Sequence, residues 1–218
     1  TPTVYTGEIT EDVTWTSNNI YELDGRVTVT SGVTLTIEAG TVIKAQGGQD
    51  ADASCLLVAR GGMLMANGTA TMPIIFTSIA DNISNTHANY PGLANLNATQ
   101  KGLWGGVIVL GNAPISASTD AIQIEGIPAS DPNGLYGGTD AADNSGSLTY
   151  VQIRHGGTNI GEGNEINGLT LGGVGTGTTI SHIEVLGNVD DGIEFFGGTV
   201  NASNLLVWGQ GDDAFDVD

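Results

Sequence analysis

Two short acidic segments stand 22 residues apart in the chain, Asn188-Val189-Asp190-Asp191-Gly192 and Gln210-Gly211-Asp212-Asp213-Ala214. Glu194 and Asp216 follow them at the same interval, so six carboxylates recur in one pattern. Brought side by side, two unit charges at about 5 Å repel by roughly 3 kcal/mol at an effective dielectric of 20. Such a group needs water, a protonated member or a cation. Oxygen-only ligands suit Ca²⁺ better than a softer metal, which makes Asp190, Asp191, Glu194, Asp212, Asp213 and Asp216 the candidate metal ligands. The same residue types also bond nearby backbone amides in turns, and a repeated Asp-Asp pair fits a repeated corner equally well.

Other reactive side chains are sparse. The three histidines, His87, His155 and His182, lie too far apart for a local metal motif, and none has a nucleophile-elbow serine beside it. Gly172-Gly173-Val174-Gly175 lacks the lysine and helix of a phosphate cradle and reads as a turn. A single cysteine, Cys55, excludes an internal disulfide and a Cys-based zinc cage.

Charge narrows the partners. Acids outnumber bases 24 to 5 among 218 residues, for a net charge of −19 and a pI near 4.1. That surface repels phosphate backbones and anionic lipid, so nucleic acid is not an expected partner. Apolar runs such as Val107-Ile108-Val109-Leu110 are far too short to span a bilayer. Low Lys and Arg with abundant Asn, Thr and Gly suit an exported bacterial protein, extracellular or at the cell surface.

Short alternating strands, each closed by Gly, Asn or Asp, must position these residues. Tyr150-Val151-Gln152-Ile153 recurs as His182-Ile183-Glu184-Val185 and as Asn204-Leu205-Leu206-Val207. A second strand type runs Leu169-Thr170-Leu171, Ile193-Glu194-Phe195 and Phe215-Asp216-Val217. Leu35-Thr36-Ile37 and Leu57-Val58-Ala59 share the 22-residue interval. A period near 22 with two or three strands is one turn of a β-solenoid. Side-chain alternation then sends Ile193, Phe195, Phe215 and Val217 inward and Glu194 and Asp216 outward. It also leaves an outward stripe of Tyr150, Arg154, Leu186, Leu206 and Trp208, open to a glycan or protein partner unless a long loop folds over it. Thr28, Thr30, Thr34 and Thr36 reflect β propensity, since no regular Thr ladder continues through the later coils.

The runs LTIEAGTVIKA and LLVARGGMLMANGTATMPIIFTS resemble the right-handed parallel β-helix of secreted bacterial surface proteins, the pectin-lyase-like superfold. The expected fold is all-β: a right-handed parallel β-helix of about 22-residue coils. Residues 1–24 form an N-terminal cap and 25–218 the solenoid, with loop excursions at 79–101 and 113–146. About seven coils remain, roughly 34 Å long at ~4.8 Å per coil. The insertion from Gly156 to Glu165 reads as a further loop. Because Phe215-Asp216-Val217-Asp218 is a strand in mid-coil, the solenoid is expected to continue beyond 218 or to self-associate through its open end. The superfold implies a structural, adhesive or glycan-contacting role, or an enzyme. The acidic blocks also resemble the polygalacturonase-type glycosidase motif. That resemblance implies Asp191, Asp212 and Asp213 as carboxylates flanking a glycosidic bond, with Gly-His-Gly and Arg-x-Lys segments required on later coils. A polysaccharide lyase would instead require a basic residue beside a uronate, and the chain has five in all.

Overall fold

Residues that alternate across a pleat build strands and no α-helix in the computed structural model, which describes residues 1–49, 52–85, 94–158 and 166–218. The first coils hold β1 (Thr3–Ile9), β2 (Val13–Trp15), β3 (Ile20–Val29), β4 (Thr34–Ile37), β5 (Val42–Ala45) and β6 (Cys55–Val58). Next come β7 (Met63–Asn67), β8 (Ile74–Ser78), β9 (Val107–Leu110), β10 (Ile122–Gln123) and β11 (Leu135–Tyr136). The last coils hold β12 (Gly146–Arg154), β13 (Leu169–Gly172), β14 (Thr179–Leu186), β15 (Ile193–Phe196), β16 (Asn201–Trp208) and β17 (Phe215–Val217). Apart from the antiparallel pair β10–β11, fifteen strands join one parallel sheet wound into a right-handed β-helix.

Three faces result. β2, β4, β7 and the first halves of β12, β14 and β16 stack as face one. The first halves of β1 and β3, then β5, β8 and the second halves of β12, β14 and β16 make face two. Face three runs through the second halves of β1 and β3, then β6, β9, β13, β15 and β17. It is seven strands deep, matching the coil number read from the sequence. Tyr150, His182 and Asn204, aligned there as repeats, occupy one left-handed corner with φ of 49°, 56° and 56°. This bend carries the chain from face one to face two without a loop, and the Tyr150 and His182 rings stack there at 4.2 Å.

Inside, Val27, Leu56, Val107, Leu169, Ile193 and Phe215 form one column of face three. Val29, Val58, Val109, Leu171, Phe195 and Val217 form the next. Phe215 and Val217 thus keep the inward register, but β17 pairs only with β15 and both stay exposed. The strands also run through the boundary that the sequence sets at 24. β1 and β2 pair in parallel with β3 and β4, and Trp15 is fully buried between the rings of Tyr5 and Tyr21, so residues 1–24 build a coil rather than a separate cap. The match of Leu35 with Leu57 fails. β4 stacks on β7 in face one, whereas β6 belongs to face three: the register partner of Leu35 is Leu64, 29 residues on, so this coil is longer than 22.

Both excursions fold back onto the solenoid. Ile83 of the first packs on the outward side chains Val42 and Ile75 of face two, and Lys44 Nζ donates to the Asp81 carbonyl at 2.5 Å. Ile124, Ile127 and Tyr136 of the second cover Cys55, Leu57, Ile108, Leu110 and Phe196 on the outside of face three. An Arg26–Asp131 ion pair at 3.0 Å and an Arg60 hydrogen bond to the Gly137 carbonyl at 2.6 Å pin this cover. The second excursion ends where β12 begins at Gly146. His87, the 86–93 stretch of the first excursion and most of the Gly156–Glu165 insertion lie outside the described residues.

Candidate functional site

The acidic segments form the corners that lead from face two into β15 and β17. Ile193 pairs with Phe215 and Glu194 with Asp216, and Thr170 of β13 continues the outward column. Leu169, Ile193 and Phe215 share one column, so Asn167, Asp191 and Asp213 hold equivalent places two residues earlier. The Asp213 N–H donates to Asp191 Oδ1 at 2.8 Å, and Asn188 Nδ2 donates to the Asp191 carbonyl at 2.7 Å. Corner building is therefore one role of these residues.

Two sets of carboxylate oxygens lie within 4.8 Å of one another, Asp190 with Asp191 and Asp212, and Asp191 with Glu194 and Asp216. Asp213 stands outside both and contributes its backbone N–H. Glu194 does point away from the core, yet it is only 6% exposed and Asp191 only 8%. The second excursion brings Glu125 and Tyr136 near Glu194. Asn167, itself buried, donates its Nδ2 to Glu194 Oε2, while its Oδ1 is enclosed without a partner.

Burial pushes the Glu194 carboxyl from an ordinary 4.5 up to about 8. Asp191, Glu125 and Asp216 add to the rise, and the Asn167 hydrogen bond opposes it. Burial also raises Asp191, against the Asp213 N–H and with the charges of Asp216, Asp212 and Asp213. Among the described residues no Lys, Arg or His forms an ion pair with Asp191, Glu194 or Asp216. Three oxygen ligands at this spacing, beside an unpartnered amide oxygen, fit a hard divalent cation with bonds of roughly 2.3–2.6 Å. A soft metal has no sulfur or imidazole here.

A pH dependence follows. A raised folded-state pKa means that folding favours the protonated carboxyl. The resulting stability is full below the ordinary 4.5 and is lost as pH rises through about 8. Scanning calorimetry in chelator is expected to give a Tm that declines between about pH 5 and 8 and then levels off. A Tm that holds or rises over that range contradicts this assignment.

The predicted partner stripe divides. Arg154, Leu186 and Trp208 do share a register column, as do Gln152, Glu184 and Leu206. Leu186 is 3% exposed, the alternative in which a long loop folds over part of the stripe. It ends β14 beside Gly187, which the first excursion overlies through Ala98. Leu206 and Trp208 remain exposed, at 56% and 52%. Arg154 and Tyr150 are half-buried, and the Arg154 carbonyl accepts the Trp104 Nε1–H at 2.7 Å. His155, adjacent, is fully buried, with Nδ1 at 2.6 Å from the Gln100 carbonyl and Nε2 at 3.8 Å from Asp81 Oδ2. Burial holds its imidazole below the ordinary range, and it pins the first excursion.

Sequence reasoning missed Asn167, Glu125 and Tyr136. For Asn167 the signal was present, since it precedes β13 as Asp191 precedes β15.

A family model described as a pectate-lyase-like β-helix domain matches residues 7–218. No curated protein and no solved structure matches the chain.

Proposed function

The chain belongs to the pectate-lyase-like β-helix domain family, and from that premise we propose a non-catalytic surface module that contacts glycan and holds Ca²⁺ in its acidic corner. One observation carries the reading. The carboxylates with altered proton affinity, Asp191 and Glu194, are 8% and 6% exposed and, among the described residues, form no ion pair with a Lys, Arg or His. A glycosidase must present its acid to the glycosidic oxygen, and a lyase must bring a base to a sugar carbon. Asp191 and Glu194, so enclosed, reach neither, while Asp212 and Asp213 stay exposed. A cation, by contrast, suits that enclosure, because it replaces lost hydration and cancels the repulsion between neighbouring carboxylates.

Glycan contact is supported by Trp208 and Leu206, which offer an exposed indole and an aliphatic side chain beside the acidic corner. An indole presents an apolar face and a polar edge, as a sugar ring does. Display outside the cell suits such a contact.

The competing glycosidase reading keeps one specific support: Asp191, with its raised proton affinity, lies close to Asp212 and Asp213. Incubation with pectins, polygalacturonate and neutral polysaccharides, in millimolar Ca²⁺, separates the two. The expected result is retention on a glycan with no new reducing ends and no unsaturated product. Turnover abolished by Asp191→Asn or Asp213→Asn would overturn the proposal.

A further inference from the structure

We infer that the cation of the acidic corner clamps the second excursion onto face three and so controls access to the apolar surface beneath it; this rests on the cation reading above and adds what the bound ion does to the chain. Residues 113–145 run lengthwise over the outside of face three. At one end Ile115 lies on Gly197, just past β15, where a Cβ would come within 2.8 Å of the Ile115 backbone, and the Gly198 N–H donates to the Pro114 carbonyl at 2.8 Å. At the other end Asp131 pairs with Arg26, and Asn133 Nδ2 donates to Glu8 Oε1 at 3.0 Å. Tyr136 sits against Gly172 and meets the Phe196 ring edge-on at 6.0 Å. Ile124 and Ile127, on either side of Glu125, belong to the cluster that covers Cys55 and Leu57.

Two forces act on this cover. Apolar burial holds it down, with Ile124, Ile127 and Tyr136 all buried against the sheet. Charge lifts it. The excursion carries Asp120, Glu125, Asp131, Asp140 and Asp143 and no Lys, Arg or His. Among the described residues its one ion pair, Asp131 with Arg26, lies at the end far from β15. On β15 itself, Glu194 belongs to the carboxylate set with Asp191 and Asp216, and the Glu125 charge is among those that raise its proton affinity.

A divalent cation held by Asp191, Glu194 and Asp216 cancels two of the three negative charges that Glu125 meets there. Glu125 acts through its charge, since it stands outside the set of oxygens within 4.8 Å. In the lifted form that charge is withdrawn from the ion and water reaches the ligand oxygens, so the ion binds the closed form more tightly. By linkage, the ion shifts the excursion toward closure by the same factor.

The chain's single cysteine makes the cover measurable. Cys55 is fully buried beneath it, and burial pushes its thiol up to about 12, so labelling requires opening. The whole chain is labelled with an aromatic disulfide reagent at about pH 8.5, in millimolar Ca²⁺ or in chelator, with Ca²⁺ binding followed in parallel by calorimetry. Ca²⁺ is expected to slow labelling at least about tenfold. Glu125→Gln in chelator is expected to label more slowly than the unmodified chain and to lose most of the Ca²⁺ effect. Labelling of the unmodified chain should also stay flat in low urea, as a local opening requires, which tests the cover without any variant. Bound Ca²⁺ with labelling unchanged overturns the clamp and leaves the cation reading standing. Labelling that rises steeply from the first addition of urea does the same, because Cys55 is then reached only by global unfolding. Glu125→Gln that labels like the unmodified chain in both conditions overturns Glu125 as the residue clamped. No Ca²⁺ binding to the unmodified chain overturns the cation reading itself.

Discussion

Adding millimolar Ca²⁺ to chelated protein at about pH 8.5 is expected to raise Tm by about 5–10 °C. Above a pH of about 8 the Glu194 carboxyl is largely ionised, and Asp191 and Asp216 stand within 4.8 Å of it. Metal-free folding must then tolerate enclosed like charges, with the neutral Asn167 Nδ2 donating to Glu194. A cation that binds only the folded chain stabilises by RT ln(1 + [L]/Kd), about 2.7 kcal/mol at a hundredfold excess over Kd. In a chain of this size each kcal/mol moves Tm by roughly 2–4 °C, which gives the expected rise. The effect should shrink near pH 5, where protons occupy the same oxygens and compete with the metal. Mg²⁺ should act more weakly, because it demands octahedral geometry and gives up water reluctantly. Identical Tm values with chelator and with Ca²⁺ at both pH values would remove the cation from the account.

The coil architecture was legible because a solenoid repeats its side-chain requirements. Tyr150, His182 and Asn204 share the left-handed corner, and the alignments of Val151 with Ile183 and Leu205, and of Ile193 with Phe215, are the registers observed. Where connections change length, spacing alone misleads: Leu35 and Leu57 lie 22 residues apart yet belong to different faces. The acidic corner was legible as a cluster but not as an enclosed one. Its cover depends on where the second excursion lands, and that excursion carries no periodicity. A signal did exist in the strands beneath it. Cys55-Leu56-Leu57-Val58 and Val107-Ile108-Val109-Leu110 are apolar at every position, as strands buried on both sides are. Isoleucines at 124 and 127 and Tyr136 are the apolar residues that answer them. A loop folding over the stripe was one of the alternatives in the sequence, but only the path of the first excursion decides that Leu186 is the part it closes.

Replacing Glu194 by Gln isolates the central claim, that this carboxylate is enclosed to hold a cation and not to do chemistry. Glutamine keeps an oxygen to accept from Asn167 Nδ2 and nearly the same volume, but it carries no charge and a weaker metal ligand. In chelator at about pH 8.5 the variant should melt above the unmodified chain, because folding no longer opposes ionisation of a buried group. Its decline in Tm between about pH 5 and 8 should largely disappear, leaving the smaller share that Asp191 carries. Ca²⁺ should then add at most about 2 °C, since the Asp191–Glu194–Asp216 set has lost its central ligand. The most direct measurement is therefore Ca²⁺ titration by calorimetry on unmodified chain and Glu194→Gln side by side, at about pH 8.5. The account predicts saturable binding to the unmodified chain and at least about tenfold weaker binding to the variant, which is itself the more stable of the two without metal. Equal Ca²⁺ affinity in both, or a metal-free Glu194→Gln that melts below the unmodified chain, would contradict it.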